Sequence, residues 1–305
     1  MSVDLTITQK ALFPKTLPLS VILGDKLRYG RYDAAWRLER GKLAEEEFIA
    51  YLPDAIGRGF SVTWNAREKR RVELRLLSPT GRAEIREFYA AVGRIMGYWH
   101  ADLRVDGEKL RCDRWMAGMD DFISFNTRAL RDICQKIHAG ESKELTLFSA
   151  FWPLTIGKEE ALRFADDPAA FDAWLHEMQS IDAVYVGPRF YQTDEGIVGR
   201  YVLCEDCRSI FPLAPSVPFG LTDPSTGKQL VCDDHQVAIF SSTEDEIVGE
   251  LRFDLFLRRL PADKLARYDE HCVLIAPLSH SECKTILGDP LDPSDPDPSF
   301  SGGAR

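Results

Sequence analysis

The sequence predicts an α+β protein in which amphipathic helices pack on mixed or mainly antiparallel sheets. Val3–Gln9 alternates apolar and polar residues, which is the two-residue period of a β-strand. Ala83–Gly97 instead spaces its apolar residues three and four positions apart, as a helix with one buried face does. Apolar residues make up 45% of the chain and charged residues 28%, so the composition is that of an ordinary globular protein.

The remaining elements of the first half follow from the same two periods and from the prolines. Pro53 would end a short acidic helix, and a polar segment at 65–70 separates the two strands of a β-hairpin. In chain order, the predicted elements are an edge or half-buried strand at Val3–Gln9, a helix at Lys42–Leu52, hairpin strands at Phe60–Trp64 and Arg71–Leu77, helices at Ala83–Gly97 and Phe122–His138, and a short strand between them at Leu103–Val105.

The second half combines short strands with short helices. Asp194-Glu-Gly196 is typical of a turn between strands, and Ser279 with Glu282 forms a capping box at a helix start. The predicted strands are Leu145–Phe151, Ala183–Tyr191, Ile197–Leu203, Gln229–Val231, Gln236–Phe240, Ile247–Leu257 and Cys272–Ala276. Helices are predicted after Pro153, from Asp167, from Pro261 to Tyr268, and from Ser279.

The chain is expected to form one domain or two closely packed halves. On the two-part interpretation, residues 1–140 form an N-terminal α+β half and residues 141–287 a C-terminal α+β half. The second half carries a strand-rich segment and a candidate zinc loop at 200–240. Residues 288–305 are rich in prolines and aspartates, which support neither a helix nor a strand ladder, so a disordered tail is predicted.

Charge is distributed unevenly along the chain. Residues 1–150 contain 25 basic and 21 acidic residues, a balance of +4, whereas the remainder contains 13 basic and 27 acidic residues, a balance of −14. A nucleic-acid backbone is held mainly by basic groups, so this balance argues against nucleic acid as a partner. The expected partner is another protein.

The compartment is predicted from what the sequence lacks and from its cysteines. It has no apolar run of about 18 residues and no basic, then apolar, N-terminal segment, so neither a membrane span nor a signal peptide is expected. The seven cysteines are odd in number and mostly scattered, as in proteins of a reducing compartment. These observations predict a cytoplasmic protein.

Four potential ligands of a soft metal ion stand at a spacing typical of zinc sites. Cys204 and Cys207 form one Cys-x-x-Cys pair, and Cys232 and His235 follow after 24 residues as Cys-x-x-His. Three thiolates and one imidazole would complete the tetrahedron that Zn²⁺ prefers, and a full set of four would make the site structural. The alternative is that these are cysteines at strand ends that hold no metal.

Two further segments contain residue types found in binding surfaces. The hairpin tip at 67–71 is basic, and its Arg70 and Arg71 could hold a phosphate or an acidic partner. Arg189 and Tyr191 follow a Gly-Pro step and belong to the residue types that dominate binding hot spots. For both segments the simpler interpretation is a solvated turn or strand end.

Catalysis has little support in the sequence. None of the nucleophile-elbow, zinc-protease, phosphate-loop or dinucleotide-binding motifs is present. Acid and base groups do occur in adjacent or near-adjacent pairs, namely His100 with Asp102, Asp120 with Asp121, and His176 with Glu177. They would form a site only if the fold brought them together.

Several short motifs resemble a family of uncharacterised bacterial proteins of about 300 residues. They are the N-terminal VDLTITQK segment, Ile56-Gly-Arg-Gly-Phe60, Pro79-Thr80, Ala183-Val-Tyr-Val-Gly-Pro-Arg189 and Ser209-Ile-Phe-Pro-Leu213. The resemblance covers most of residues 1–287. It implies no catalytic residues, and the cysteines are not part of it.

The sequence thus favours a non-catalytic cytoplasmic protein that binds or regulates another protein and that has a possible structural zinc site. The alternative is a hydrolase-type enzyme whose carboxylates and histidines meet only in the fold. A deep pocket around His100, Asp120 or His176 would favour the enzyme. An exposed aromatic patch on a convex surface would favour the binding protein.

Overall fold

The computed structural model confirms an α+β fold. It describes residues 2–33, 37–43, 47–64, 70–105, 107–194, 196–218, 221–223 and 226–288. The chain forms two compact units, residues 1–181 and 182–305. The sequence predicts a division at residue 140, whereas the two units meet at residues 181 and 182. The reason is that the helix at 158–166, which follows residue 140, packs on the helix at 119–138, which precedes it. The predicted tail lies outside the described residues, apart from Gly288.

The first unit contains ten strands and six helices within its described residues. The strands are β1 (Ser2–Thr8), β2 (Arg28–Tyr32), β3 (Leu38–Arg40), β4 (Glu47–Tyr51), β5 (Phe60–Thr63), β6 (Arg71–Leu77), β7 (Asp102–Val105), β8 (Glu108–Leu110), β9 (Leu145–Leu147) and β10 (Leu154–Ile156). The helices are α1 (Leu19–Leu23), α2 (Arg82–Trp99), α3 (Cys112–Ala117), α4 (Met119–His138), α5 (Lys158–Asp166) and α6 (Pro168–Ser180). A 3₁₀ turn spans Pro53–Ala55.

Eight of these strands form one antiparallel sheet, in the order β3-β2-β4-β5-β6-β1-β7-β8. The buried face of α2 packs against this sheet, with Phe88 and Tyr89 in the same core as Phe48 and Phe60. The hairpin of β5 and β6 and the helix at 83–97 are confirmed. Large apolar side chains alternate on the strands and recur at each turn of the helix, so both elements present an apolar face, and burying these faces against each other stabilises the core.

Of the two alternatives for the first strand, edge or half-buried, the half-buried one is confirmed, because β1 alternates in burial and pairs with β6 on one side and β7 on the other. One prediction for the first unit is wrong. The segment predicted as a helix at Lys42–Leu52 contains strand β4, which pairs with β2 and β5. Phe48 and Ala50 point into the core from alternate positions, so burial in the sheet outweighs the helical preference of the acidic sequence before them.

The second unit contains eight strands and two helices within its described residues. The strands are β11 (Val184–Tyr185), β12 (Arg189–Thr193), β13 (Gly196–Cys204), β14 (Ser209–Pro212), β15 (Asp234–Ser241), β16 (Glu246–Arg252), β17 (Leu265–Arg267) and β18 (Cys272–Ile275). The helices are α7 (Phe253–Arg259) and α8 (His280–Leu287), and the capping box predicted at Ser279 is confirmed at the start of α8.

Two four-stranded sheets organise this unit, in the orders β11-β14-β18-β17 and β12-β13-β15-β16. Each contains one parallel pair, β11 with β14 and β13 with β15. The strand predicted at Ala183–Tyr191 is divided between the two sheets at Gly187-Pro188, because proline cannot donate to a strand ladder. The helix predicted after Pro261 is a 3₁₀ turn followed by β17.

Candidate functional site

The four predicted zinc ligands lie on or beside two neighbouring strands of the second unit. β13 and β15 run parallel, with Gly199 opposite His235 and Cys204 opposite Phe240. Cys204 therefore lies five residues farther along the strands than His235, a separation of about 16 Å at roughly 3.3 Å per residue. Zinc bonds span only about 2.0–2.3 Å, so this register corrects the prediction that all four side chains share one ion. Within the described ranges, no group of three or more His, Cys, Asp or Glu side chains could hold a metal ion.

The register does bring together one predicted pair. Sγ of Cys232 lies 3.9 Å from Nδ1 of His235. Burial lowers the pKa of His235 and raises the pKa of Cys232. At neutral pH the imidazole is therefore neutral and the thiol is protonated.

The other predicted pair forms a tight turn after β13. The N–H of Cys207 donates to the carbonyl of Cys204 over 3.4 Å, and Asp206 between them has a φ of +57°. Burial, and then the neighbouring Cys207, raises the pKa of Cys204. The two motifs are therefore separate local features at opposite ends of the same strand pair.

The predicted binding residues of the hairpin lie at the start of β6, an interior strand of the eight-stranded sheet. Arg71 begins β6 and forms an ion pair with Glu73. The carbonyl of Arg70 accepts a hydrogen bond from the N–H of Gln9, which follows β1. The rest of the basic tip, residues 65–69, lies outside the described residues. Arg70 and Arg71 are thus fixed beside the chain that leaves β1, and their binding role stays a prediction.

Arg189 and Tyr191 lie on β12, the strand at one end of its sheet. Both side chains are exposed, and the guanidinium of Arg200 lies 5.3 Å from the centre of the Tyr191 ring. Arg200 also forms an ion pair with Glu250 over 3.0 Å. This row of side chains holds Tyr191 in place on the sheet surface, and its binding role likewise stays a prediction.

Three of the acid and base residues singled out from the sequence have separate local roles among the described residues. His176 accepts a hydrogen bond at Nδ1 from the N–H of Ile56 over 3.0 Å, so it joins α6 to the 3₁₀ turn. Asp120 lies in the first turn of α4, where a negative charge favours the helix N-terminus. His100 ends α2 in a left-handed conformation, with a φ of 49°. Each of these residues has a local structural explanation.

A buried charged cluster forms where two of the resemblance motifs meet in the first unit. Glu84, in the first turn of α2, accepts hydrogen bonds from the N–H groups of Arg58 (3.1 Å) and Gly59 (2.6 Å) and from the hydroxyl of Thr80. Gly59 has a φ of +68°, which a residue with a side chain rarely adopts. The guanidinium of Arg58 donates to the carbonyls of Phe148 and Pro79.

Burial dominates the electrostatics of this cluster. It raises the pKa of Glu84 and lowers the pKa of Arg58 to about 10. Burial and the nearby Glu84 raise the pKa of Tyr32 to about 12. Because Glu84 and the Arg58 side chain are buried and hydrogen-bonded, the cluster joins α2 to the segments at 57–59 and 148–150. The sequence gives no signal for it beyond two glycines flanking an arginine.

A second buried carboxylate lies in the second unit. Glu205 accepts hydrogen bonds from the hydroxyls of Ser241 and Thr243, the latter over 2.8 Å, and lies 3.3 Å from Nδ1 of His280. The hydrogen bond from Ser241 is the main cause that lowers the pKa of Glu205, to about 2. Nε2 of His280 faces Glu244 over 3.2 Å. The cluster joins the turn after β13 to β15 and α8.

The most exposed apolar side chains described in the first unit lie between β1 and α1. Leu12 and Phe13 are each 84% exposed, and Lys10 and Lys15 flank them in the sequence. We call residues 10–15 together with Tyr98 the Leu12–Phe13 surface. Tyr98 is also exposed, at 37%.

The loop that carries this surface is anchored at its base. Gln9 is buried, and its side chain exchanges two hydrogen bonds with the backbone of Lys15, over 2.6 and 3.1 Å. The indole of Trp99 donates to the same carbonyl over 2.9 Å. A cavity of about 300 Å³ opens beside the loop, lined by Gln9, Lys10, Ala11, Lys15, Tyr98, Trp99 and His100. These residues include cationic and aromatic side chains but no carboxylate.

Sequence reasoning missed this surface, although a signal for its loop was available. The letters KALFPK place two large apolar residues between lysines directly after a strand, and Pro14 and Pro18 exclude both from a helix interior. The prolines thus indicate a loop, but they do not predict exposure, since Leu17 between the same two prolines is fully buried.

The α+β chain with its antiparallel eight-stranded sheet belongs to a defined protein family. A family model described as a domain of unknown function, DUF4299, matches residues 2–286, so the chain is a member of that family. The match confirms the resemblance to an uncharacterised family. Like that resemblance, it does not include the tail at 288–305. Neither a curated protein nor a solved structure matches the chain. Among the described helices, none has both the length and the apolar character to cross a membrane.

Proposed function

We propose that this protein is a non-catalytic binding protein that captures another protein through the Leu12–Phe13 surface. The single observation that carries the proposal is the 84% exposure of both Leu12 and Phe13 on an anchored loop. Two large apolar side chains in water cost free energy that a partner would recover, since burying each contributes about 1.5–3 kcal/mol. The buried base of the loop supports a preformed surface, which lowers the ordering cost of binding.

The charges around this surface favour an acidic partner. Lys10 and Lys15 flank the apolar pair, and Arg70 lies at the base of the loop through its contact with Gln9. Complementary charge speeds encounter and selects against basic partners.

The seven free cysteines support the further proposal that the protein acts in a reducing compartment such as the cytoplasm. All seven thiols lie in the described part of the chain and none is in a disulfide. Measuring the abundance of the protein in fractionated cells tests this location.

The capture test compares two variants of the full chain. Leu12→Ser with Phe13→Ser should weaken binding of a captured protein by about a hundredfold or more, since it removes about 3 kcal/mol or more of apolar burial. Leu162→Ser is the matched control, because Leu162 is 52% exposed on α5. The measurement is affinity capture from the source cell, followed by the Kd of each captured protein.

The proposal requires a protein that the wild type and the Leu162→Ser control bind and the double variant does not. If the double variant retains every captured protein at unchanged Kd, the surface is not the binding site. Because both side chains are exposed, the double variant should keep the circular dichroism of the wild type.

A further inference from the structure

The pair Cys232 and His235 has the geometry of half a zinc site. With bonds of about 2.3 Å to sulfur and 2.0–2.1 Å to nitrogen and a tetrahedral angle, zinc would hold Sγ and Nδ1 about 3.6 Å apart. The two atoms lie 3.9 Å apart. A shift of a few tenths of an ångström would therefore bring both within bonding distance of one ion.

Gly199 leaves the space that the two ligand atoms share. It pairs with His235 across the parallel strands, and a Cβ atom built on it would lie 2.7 Å from Nδ1 and 3.2 Å from Sγ. Both ligand atoms thus converge on one region above the glycine. Any larger residue at position 199 would fill that region.

The pair supplies two of the four ligands that zinc prefers. The neighbouring carboxylates are already engaged, since Asp233 accepts from the N–H of Ile197 over 2.7 Å and Asp234 from the amide of Gln236 over 3.0 Å. Within the described residues no third ligand joins the pair. A zinc ion bound by this pair would therefore have two coordination positions left for ligands from outside this copy of the chain.

The surroundings of the pair fit a second copy of the same chain. Val231, next to Cys232, is 72% exposed, so an apolar side chain lies at the entrance to the pair. Asp233 and Asp234 are also exposed, and two copies would bring these carboxylates close to each other. Like charges repel, so the contact would depend on a dication between the copies.

We propose that Cys232 and His235 bind Zn²⁺ and that two copies of the chain share each ion in a Cys₂His₂ site. Sγ of Cys232 now lies 3.3 Å from the carbonyl oxygen of Ile197 and 3.0 Å from that of Asp234, so its single proton has two possible acceptors. On binding, each thiol releases its proton to solvent, so one Zn²⁺ displaces two protons and forms two sulfur–zinc bonds. Affinity should therefore rise with pH.

The test uses the full chain, stripped with a chelator under reducing conditions and then reconstituted with Zn²⁺. Elemental analysis should give one ion for every two chains, and sedimentation should show a dimer that EDTA returns to a monomer. Cys232→Ser and His235→Ala should each reduce bound zinc to background and abolish the dimer. The matched control is Cys204→Ser with Cys207→Ser, which removes the other motif and should retain both zinc and dimer.

Circular dichroism of each variant establishes that it is folded before metal is added. Zinc that persists in Cys232→Ser, or that disappears in the Cys204→Ser and Cys207→Ser control, would overturn the proposal. So would a wild type that binds no zinc, or a monomer that holds one ion per chain. The result is independent of the Leu12–Phe13 surface, which lies in the first unit.

Discussion

Glu84 in the first unit and Glu205 in the second are both buried carboxylates, yet burial raises the pKa of one while hydrogen bonds lower the pKa of the other. Both accept several hydrogen bonds. The difference lies in what surrounds the donors, because the side chain of Arg58 beside Glu84 is buried whereas Thr243 beside Glu205 is exposed. Hydrogen bonds thus hold the pKa of Glu205 low, whereas those to Glu84 do not offset the loss of hydration that burial causes.

The largest expected effect is the loss of stability when Glu84 is removed. Glu84→Ala leaves the N–H groups of Arg58 and Gly59 and the hydroxyl of Thr80 without their acceptor, and leaves the Arg58 charge buried. Each buried donor left unpaired costs about 1–3 kcal/mol, so we expect the free energy of unfolding to fall by about 3 kcal/mol or more. All six tryptophans lie in residues 1–181, so urea unfolding followed by tryptophan fluorescence reports on this unit.

The matched control for that experiment is Glu177→Ala, which removes an exposed glutamate of α6. It should change the free energy of unfolding by about 0.5 kcal/mol or less. Equal losses for the two variants would mean that the cluster contributes no more than an ordinary surface carboxylate.

The next largest expected effect is the change of folding stability with pH, which has opposite signs for the two carboxylates. The pKa of Glu205 falls from 4.5 to about 2 on folding, so its contribution is present above about pH 4.5 and is lost as the pH falls towards 2. The pKa of Glu84 rises on folding, so its contribution is complete below pH 4.5 and declines as the pH rises through the folded value. Glu→Gln variants should remove each slope separately.

Amide hydrogen exchange between about pH 2 and 7 checks these slopes, after correction for the intrinsic exchange rate, because the contribution of Glu205 changes only below about pH 4.5. Amides of α2 report on Glu84, and amides of β15 report on Glu205. If Glu205→Gln leaves the pH dependence of the β15 amides unchanged, the hydrogen bonds to Glu205 do not hold its pKa low.

Much of the fold could be predicted because it follows from local periodicity. The helix at 83–97 and the hairpin of β5 and β6 have the patterns that burial on one face requires. Strand β4 could not be predicted, because its place between β2 and β5 depends on pairing with distant segments. Propensity within Lys42–Leu52 carries no information about those partners.

The candidate sites were hard to predict for the same reason, since they too depend on which distant segments pair. A Cys-x-x-Cys and a Cys-x-x-His are recognisable from spacing, but only the register of β13 and β15 decides that Cys204 lies opposite Phe240 and far from His235. Had those strands been antiparallel with a shared end, the same residues could have met. The Glu84 cluster was hidden for a related reason, since its two backbone donors, Arg58 and Gly59, lie 26 and 25 residues away in the chain.

The smallest expected effect is the reaction of Ser241 with a fluorophosphonate, for which we expect no labelling. Ser241, His280 and Glu205 are the residue types of a hydrolytic triad, and labelling would revive the alternative of a hydrolase. In a triad, however, the acid contacts one imidazole nitrogen and the serine the other. Here Ser241 and Glu205 both lie 3.3 Å from Nδ1 of His280, while Nε2 faces Glu244.

Exposure leads to the same expectation. Ser241 is 0% exposed and its hydroxyl already donates to Glu205, so the oxygen can neither meet a substrate nor transfer its proton to His280. A serine hydrolase added to the same sample provides the positive control, and mass spectrometry of the tryptic peptides locates any adduct. An adduct on Ser241 of the folded chain would show that the Glu205 cluster opens to solvent. The Glu205 and Glu84 clusters would then differ in solvent access as well as in the pKa of their carboxyl groups.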